Sequence, residues 1–403
     1  MVKKIKSDQL QCGMFIHDLN CSWLDHPFVK NKFKVGSDAV IKKIIDNGIR
    51  EVYIDTGRGP DVIDAPAVKD VQSELHEEVK KVGDAEQEIT QEVPLKEELV
   101  RAREIKKEAI QTIHGFMDEV RFGGEIKTEN VERVVEKMVD SIFCNADALL
   151  SLTRIREKDE YTYMHSMGVC ILMISFGKHL GFDSQQLKEV GIGGMLHDVG
   201  KMKVPQDILL SARKLSDEEF EKMREHVVFS RTLLEQTNNI PAIATQIAAE
   251  HHERADGTGY PEGLTQKEIS LYGQAVAIVD VYDAMTSKRA YQRRYPPTEV
   301  LGKLYEWSEY HFNKDLVQKF IRCMGIYPVG SLVHLESGLL GLVLGHGVES
   351  LKPLVRVIYD TKKNNPVMPY DVDLSNPGNN RQDQVSNYAS FDQWNINPDT
   401  YLQ

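Results

Sequence analysis

The chain has 403 residues, 41% of them hydrophobic and 27% charged, with a formal net charge of −12. That length predicts two or three domains with ample apolar material for a core. The acidic balance excludes a broad nucleic-acid surface, though not a phosphate substrate at a locally positive or metal-loaded site, and no apolar run approaches the roughly 18 residues of a membrane span.

Met1 leads into Lys3, Lys4 and Lys6 with no apolar signal segment behind them. Cys12, Cys21, Cys144, Cys170 and Cys323 are odd in number and form no CxxC pair. Reduced thiols in a cytoplasmic protein are expected.

Residues 1–60 read as a small α+β domain. A strand is expected at 14–16. Ser37 begins a helix whose apolar stripe runs through Val40, Ile44 and Ile45 and stops at Asn47-Gly48, and a further strand follows at 51–55. Residues 61–95 are acidic, poor in apolar side chains and free of aromatics, so a linker is expected, disordered or loosely helical. Residues 96–144 read as two connecting helices. Leu99, Ala102, Ile105, Ala109, Ile113 and Phe116 recur at helical spacing in the first, which begins at Leu95 and is stopped by Gly123-Gly124. Val131, Val134, Val135, Met138 and Ile142 mark the second, which starts near Thr128. These helices brace the domain that follows or pair two copies into a homodimer.

From 145 to 330 helical periodicity is continuous and no strand pattern interrupts it, so this domain is expected to be all-α. Its helices are expected at 161–180, 184–197, 216–236 (opened by a Ser216/Glu219 capping box), 241–252, 268–286, 298–307 and 314–324. Residues 331–361 alternate apolar and polar side chains between glycines and read as a small antiparallel β element. Residues 362–403, rich in Asn, Asp, Gln and Pro, read as a flexible tail in which Trp394 and Tyr401 could dock. The fold class is therefore mainly α, with an α+β amino-terminal domain and a short β element near the carboxyl terminus.

The residue types suited to metal binding are His165, His197, Asp198, His226, His251, His252 and Asp280. They fall on or at the ends of successive predicted helices. Two adjacent pairs at helix ends, His197-Asp198 and His251-His252, suggest a metal centre inside a helix bundle. Imidazole and carboxylate fit iron, manganese, zinc, cobalt or nickel, and the lack of nearby thiols argues against a sulfur-dominated site. So many ligands suit two ions if a carboxylate bridges them, and Asp198 is the candidate bridge. Such a pair of ions activates water and neutralises charge on a phosphodiester. The loop HHERADGTGYP at 251–261 follows the histidine pair, with Gly257 and Gly259 able to bring backbone N–H groups near a ligand and Tyr260 offering a ring and a hydroxyl. Lys288, Arg289, Arg293 and Arg294 form a basic cluster in an acidic chain, and Arg289 suits a phosphate clamp.

HDVGK at 197–201 with Pro205, HHERADGTGYP at 251–261, DVYDAMTSKRAY at 280–291 and YTYMHS at 161–166 resemble the HD-GYP family of metal-dependent phosphohydrolases. GMFIHDLNCSW at 13–23, HPF at 26–28 and YIDTGRG at 53–59 resemble the small domain of unknown function that often precedes it, and VGSLVHLESGLLGLV at 329–343 resembles its usual continuation. The resemblance implies hydrolysis of cyclic di-GMP to pGpG, with a second cut to GMP if the linear product is handled suitably, or a preference for 3′3′-cGAMP. It implies His165, His197, Asp198 and Asp280 around one ion and His226, His251 and His252 around the other, with iron or manganese as the metals. It gives Lys201 a contact to the scissile phosphate, Arg289 a contact to a substrate phosphate, and makes Gly259, Tyr260 and Pro261 the family signature. Three-metal relatives carry a glutamate where this chain has Tyr161, so two ions are expected. The residue after Tyr291 is Gln292 where some relatives have a basic one. The competing readings are an HD-type phosphohydrolase acting on other nucleotides, and a catalytically weak module that binds a cyclic dinucleotide and contacts signalling partners.

Overall fold

The structure is a computed structural model that describes every residue except 22–27, 29–30, 85–92, 154–160, 212, 214, 288–294, 346, 348–350, 376–382 and 403. The amino-terminal unit contains β1 (Val2–Lys6), β2 (Phe15–Asp18), β3 (Phe33–Lys34), α1 (Asp38–Asp46) and β4 (Glu51–Asp55). The strands form an antiparallel sheet in the order β1-β4-β2-β3. Alternation puts Ile5, Ile16, Val52 and Ile54 into a small core that α1 closes with Ile44.

The stretch expected to be a linker contains α2 (Val68–Gly83). Its few apolar residues, Val68, Val71, Leu75, Val79 and Val82, recur at steps of three and four, which gives one sticky face. That face packs on β1 and on two helices of the large domain, and Val79 is buried. Composition hid a stripe that spacing reveals.

α3 (Leu95–Arg121) and α4 (Thr128–Thr153) lie against each other and against α5 (Tyr161–His179). Their apolar stripes are buried within one chain, which is the bracing arrangement. α4 departs from helical geometry at Asn145, whose side chain donates to the Val93 carbonyl at 2.9 Å. The bundle continues with α6 (Ser184–Leu196), a short 3-10 turn (Val199–Lys203), α7 (Gln206–Leu209), α8 (Asp217–Arg224), α9 (His226–Gln236), α10 (Ala242–Glu250), α11 (Leu271–Thr286), α12 (Pro297–Trp307) and α13 (Lys314–Met324). The helix expected at 216–236 is thus divided into α8 and α9 at Glu225, immediately before His226; the expected Ser216/Glu219 box is present. α6 is central, packed on α4, α5 and α10.

The carboxyl-terminal sheet has β5 (Leu332–Leu335), β6 (Leu339–Gly345), β7 (Leu354–Asp360), β8 (Asn365–Asp373) and β9 (Val385–Ala389) in the antiparallel order β8-β7-β6-β5-β9, followed by α14 (Phe391–Trp394). The region expected to be a flexible tail therefore supplies two strands. Edge strand β8 is mostly exposed, so its polar composition suits a sheet edge as well as a coil. Trp394 packs against His334 and Tyr359, and the Tyr401 carbonyl accepts from Arg356 Nη1 at 2.8 Å. Among the described residues no helix is long and apolar enough to cross a membrane.

Candidate metal centre

The site is assembled around α6. A capping box fixes the start of this helix, with Asp183 accepting from the Gln186 N–H at 2.8 Å. Near its end a Cβ on Gly193 would sit 2.6 Å from Ile247 on α10, and one on Gly194 would sit 3.0 Å from the Cys170 backbone on α5. Two bare positions therefore let α5 and α10 approach α6 closely. His197 then leaves the end of α6, His165 projects from α5, and His251 and His252 leave the end of α10. Asp280 comes from α11 and His226 opens α9.

All seven candidate ligands are buried. His165 Nε2 lies 3.0 Å from Asp280 Oδ1, and His197 Nε2 lies 3.3 Å from Asp198 Oδ2. On the other side, Asp198 Oδ1 faces His226 Nε2 at 3.3 Å and His251 Nε2 at 3.7 Å. The two oxygens of Asp198 thus face different groups of histidines. Lys201 Nζ is paired with Asp198 Oδ2. Three overlapping triads bring ligand atoms close enough to share an ion: His165-His197-Asp280, His197-Asp198-His251 and His226-His251-His252.

The tautomers argue for a cation. The Nδ1 of His197, His226 and His251 each face a backbone carbonyl, of Gly194, Met223 and Ala248, at 2.8, 2.6 and 2.9 Å. A carbonyl only accepts, so Nδ1 carries the proton and Nε2 is left as a lone pair. The Nε2 atoms of His226 and His251 then point at each other across 3.3 Å, and both face a carboxylate oxygen. Lone pairs so placed repel unless a positive ion lies among them. His197 Nε2, Asp198 Oδ1, His252 Nδ1 and Asp280 Oδ2 are likewise buried without a hydrogen-bond partner, a state that buried polar atoms rarely tolerate. The donor set fits divalent ions of the imidazole-carboxylate type.

Protonation follows the same layout. Burial resists charge on Asp198 and Asp280, yet the Lys201 ammonium beside the first and hydrogen bonding from His165 to the second hold both carboxyls well below their usual range. Burial, reinforced by neighbouring imidazoles, holds His251 and His252 well below theirs, in the neutral form a metal requires. Burial also pulls His165 down, but hydrogen bonds to Asp280 and Asp283 outweigh it and raise its pKa.

The 251–261 loop folds back over the histidine pair. Gly259 lies against the backbone of Glu253 and Arg254, where a Cβ would collide. That close approach seats the Tyr260 ring on His252, centroids 4.7 Å apart, while the Arg224 guanidinium at the end of α8 also lies over the ring, at 4.2 Å.

Two family models match: one described as a domain of unknown function (DUF3391) over residues 2–131, and one described as an HD domain over residues 142–316. A cyclic di-GMP phosphodiesterase of Pseudomonas aeruginosa is 37% identical over 98% of this chain and 94% of its own length. This chain belongs to the HD-GYP phosphodiesterase family. A 3′3′-cGAMP-specific phosphodiesterase of Vibrio cholerae is 33% identical over 38% of this chain and 36% of that protein. A solved HDG"Y"P protein of Bdellovibrio bacteriovorus aligns over 80% of this chain and 98% of its own, at 18% identity and a TM-score of 0.48.

In this HD-GYP chain all the expected histidines and aspartates converge, with Lys201, Gly259 and Tyr260 beside them; Arg289 lies outside the described residues. Three supporting residues had no assigned role in the sequence reading. Asp283 Oδ2 is 2.7 Å from His165 Nδ1, and its signal is the i,i+3 spacing from Asp280, which puts both on one helix face. Glu253 is buried and accepts from the N–H groups of Glu262, Gly263 and Leu264 at 2.8, 3.2 and 2.9 Å, stapling the loop shut. Arg224 gives no sequence signal, because its role depends on where α8 ends.

Proposed function

We propose that the protein hydrolyses the 3′–5′ phosphodiester of cyclic di-GMP to linear pGpG in the cytoplasm, lowering a bacterial second messenger. The observation that carries this reading is the ring of buried imidazole nitrogens and carboxylate oxygens converging around Asp198, among which His197 Nε2, Asp198 Oδ1, His252 Nδ1 and Asp280 Oδ2 have no hydrogen-bond partner. It is supported by the extent of the match to the Pseudomonas cyclic di-GMP phosphodiesterase. His165, His197, Asp198 and Asp280 on one side and His226, His251 and His252 on the other would hold two divalent ions, iron or manganese, with Asp198 placed between the two groups. Ions bound there acidify water and neutralise the phosphate. Asp198 stays ionised to serve both, and Lys201, paired with it and partly exposed, presents an ammonium to the scissile phosphate. Tyr260, seated on His252 with Arg224 over its ring, offers its ring edge and hydroxyl to the substrate. Arg289 is the further phosphate contact.

The test is a hydrolysis assay on cyclic di-GMP, 3′3′-cGAMP and pGpG, run separately with iron(II) and manganese(II). Cyclic di-GMP is expected to be cleaved to pGpG with at least one metal. Preferential cleavage of 3′3′-cGAMP would reassign the substrate, and cleavage of neither would end the proposal. Metal analysis after anaerobic purification is expected to find two ions per chain, and three would refute the binuclear site.

A further inference from the structure

The amino-terminal unit touches both elements that enclose Tyr260. Gly48, at the end of α1 with φ 74°, lies so close to the loop that a Cβ on it would sit 2.6 Å from Thr258 Cβ. The Gly48 carbonyl accepts from His311 Nε2 at 3.2 Å, and the His311 carbonyl accepts from the Ala255 N–H at 2.9 Å. Arg50 Nε stands 3.4 Å from Asp256 Oδ2, while the other oxygen of Asp256 accepts from Thr258 Oγ1 at 2.6 Å. At the start of α8, Lys43 Nζ holds Asp217 at 2.6 Å. Asp217 is the first residue of α8 and Arg224, on the Tyr260 ring, is its last.

These contacts are not demanded by the amino-terminal fold, whose core is separate from that of the bundle. They fall on one edge of α1 and the turn after it, and they reach the loop from one direction and α8 from another. The loop is polar and rich in glycine, and its internal staple, Glu253, fixes residues 262–264. The segment between, 255–258, leans on Gly48 and Arg50. A shift of the loop or of α8 would move Tyr260 over His252, the ring on which it is stacked.

We infer that the amino-terminal unit is part of the substrate-positioning apparatus: Lys43, Gly48 and Arg50 are positioning residues that set where Tyr260 stands over the metal centre. This rests on the reading of the site given above. A signal that tilts the amino-terminal sheet would thereby act on substrate affinity.

The test uses the full-length, metal-loaded protein with the double substitution Lys43→Glu/Arg50→Glu. The two substituted side chains, Lys43 and Arg50, are each at least a third exposed, so folding should survive the change. The KM for cyclic di-GMP is expected to rise about fivefold, with kcat within about twofold of the parent and metal content unchanged. Asp217→Lys added to Lys43→Glu should recover part of the loss, which a merely structural lesion would not. Backbone hydrogen exchange at residues 255–264, measured without substrate, is expected to accelerate in the double variant. Unchanged KM together with unchanged exchange would overturn the inference. Faster exchange in the variant of a parent that cleaves no cyclic di-GMP would uphold the positioning contact and remove the substrate assignment instead.

Discussion

On the α5–α11 side of the metal centre, His165 is backed by a side chain, the Asp283 carboxylate at 2.7 Å. On the α9–α10 side, His226 and His251 are backed by the main-chain carbonyls of Met223 and Ala248 at 2.6 and 2.9 Å. Both devices fix a ring and choose its tautomer. They differ in charge and in vulnerability. Both rings are buried, yet hydrogen bonds to Asp280 and Asp283 raise His165 against that burial, while burial leaves His251 lowered. A carboxylate can be lost to one substitution, whereas a carbonyl three residues back along the chain persists while the helix end persists. One side thus mixes a ligand tuned by a side chain, His165, with one backed by the main chain, His197, while His226 and His251 on the other side both rest on the main chain.

Asp198 belongs to both sides, so Asp198→Ala is expected to have the largest effect. It should abolish turnover and reduce bound metal on both sides, read by hydrolysis and metal analysis. Near-normal activity in well-folded protein would remove its shared role. Asp283→Ala should strike one side only, costing roughly ten- to a hundredfold in activity or metal affinity. Metal analysis is expected to show the loss of one ion while the second remains, and equal loss of both would erase the distinction between the sides. The smallest effect concerns α8, which delivers Arg224. The Glu219 carboxyl, hydrogen-bonded by Arg213 and by the Ser216 N–H at the start of α8, is held at about 2 against an ordinary 4.5. A folded pKa below the unfolded one means that its contribution is complete above about 4.5 and fades as pH falls toward 2. Glu219→Gln should therefore be slightly less stable than the parent at neutral pH. The gap should close below pH 4.5 in urea melts, and a gap independent of pH would discount the carboxylate.

The candidate ligands were legible because histidine-histidine and histidine-aspartate pairs at helix ends are rare patterns with a chemical reason. The helices that carry them follow from apolar periodicity, and α3 begins and ends where Leu95, Arg121 and the following glycines indicate. Asp283 was visible as a residue but not as a partner, since pairing it with His165 needs the contact between α5 and α11. The division at Glu225 left no mark in a stretch that is helical on both sides. α2 was obscured by its acidic composition, and β9 by its distance from β5, because a strand recruited from some fifty residues away has no local signature.

Gly194 brings α6 directly against the α5 backbone at Cys170, and Gly193 seats it on α10 against the Ala244 backbone and the Ile247 side chain. A spacing set this way cannot be adjusted by rotamer changes, as a leucine or methionine contact could. The helix pair behaves as a fixed gauge: substitutions in the outer core can be absorbed by repacking around it while the distance between His165 and His251 holds. The same rigidity sets a limit, because one methyl group added at either glycine would be transmitted undiminished to the ligands. Drift in this chain should thus be generous in its apolar stripes and nearly absent along two adjacent positions of one helix.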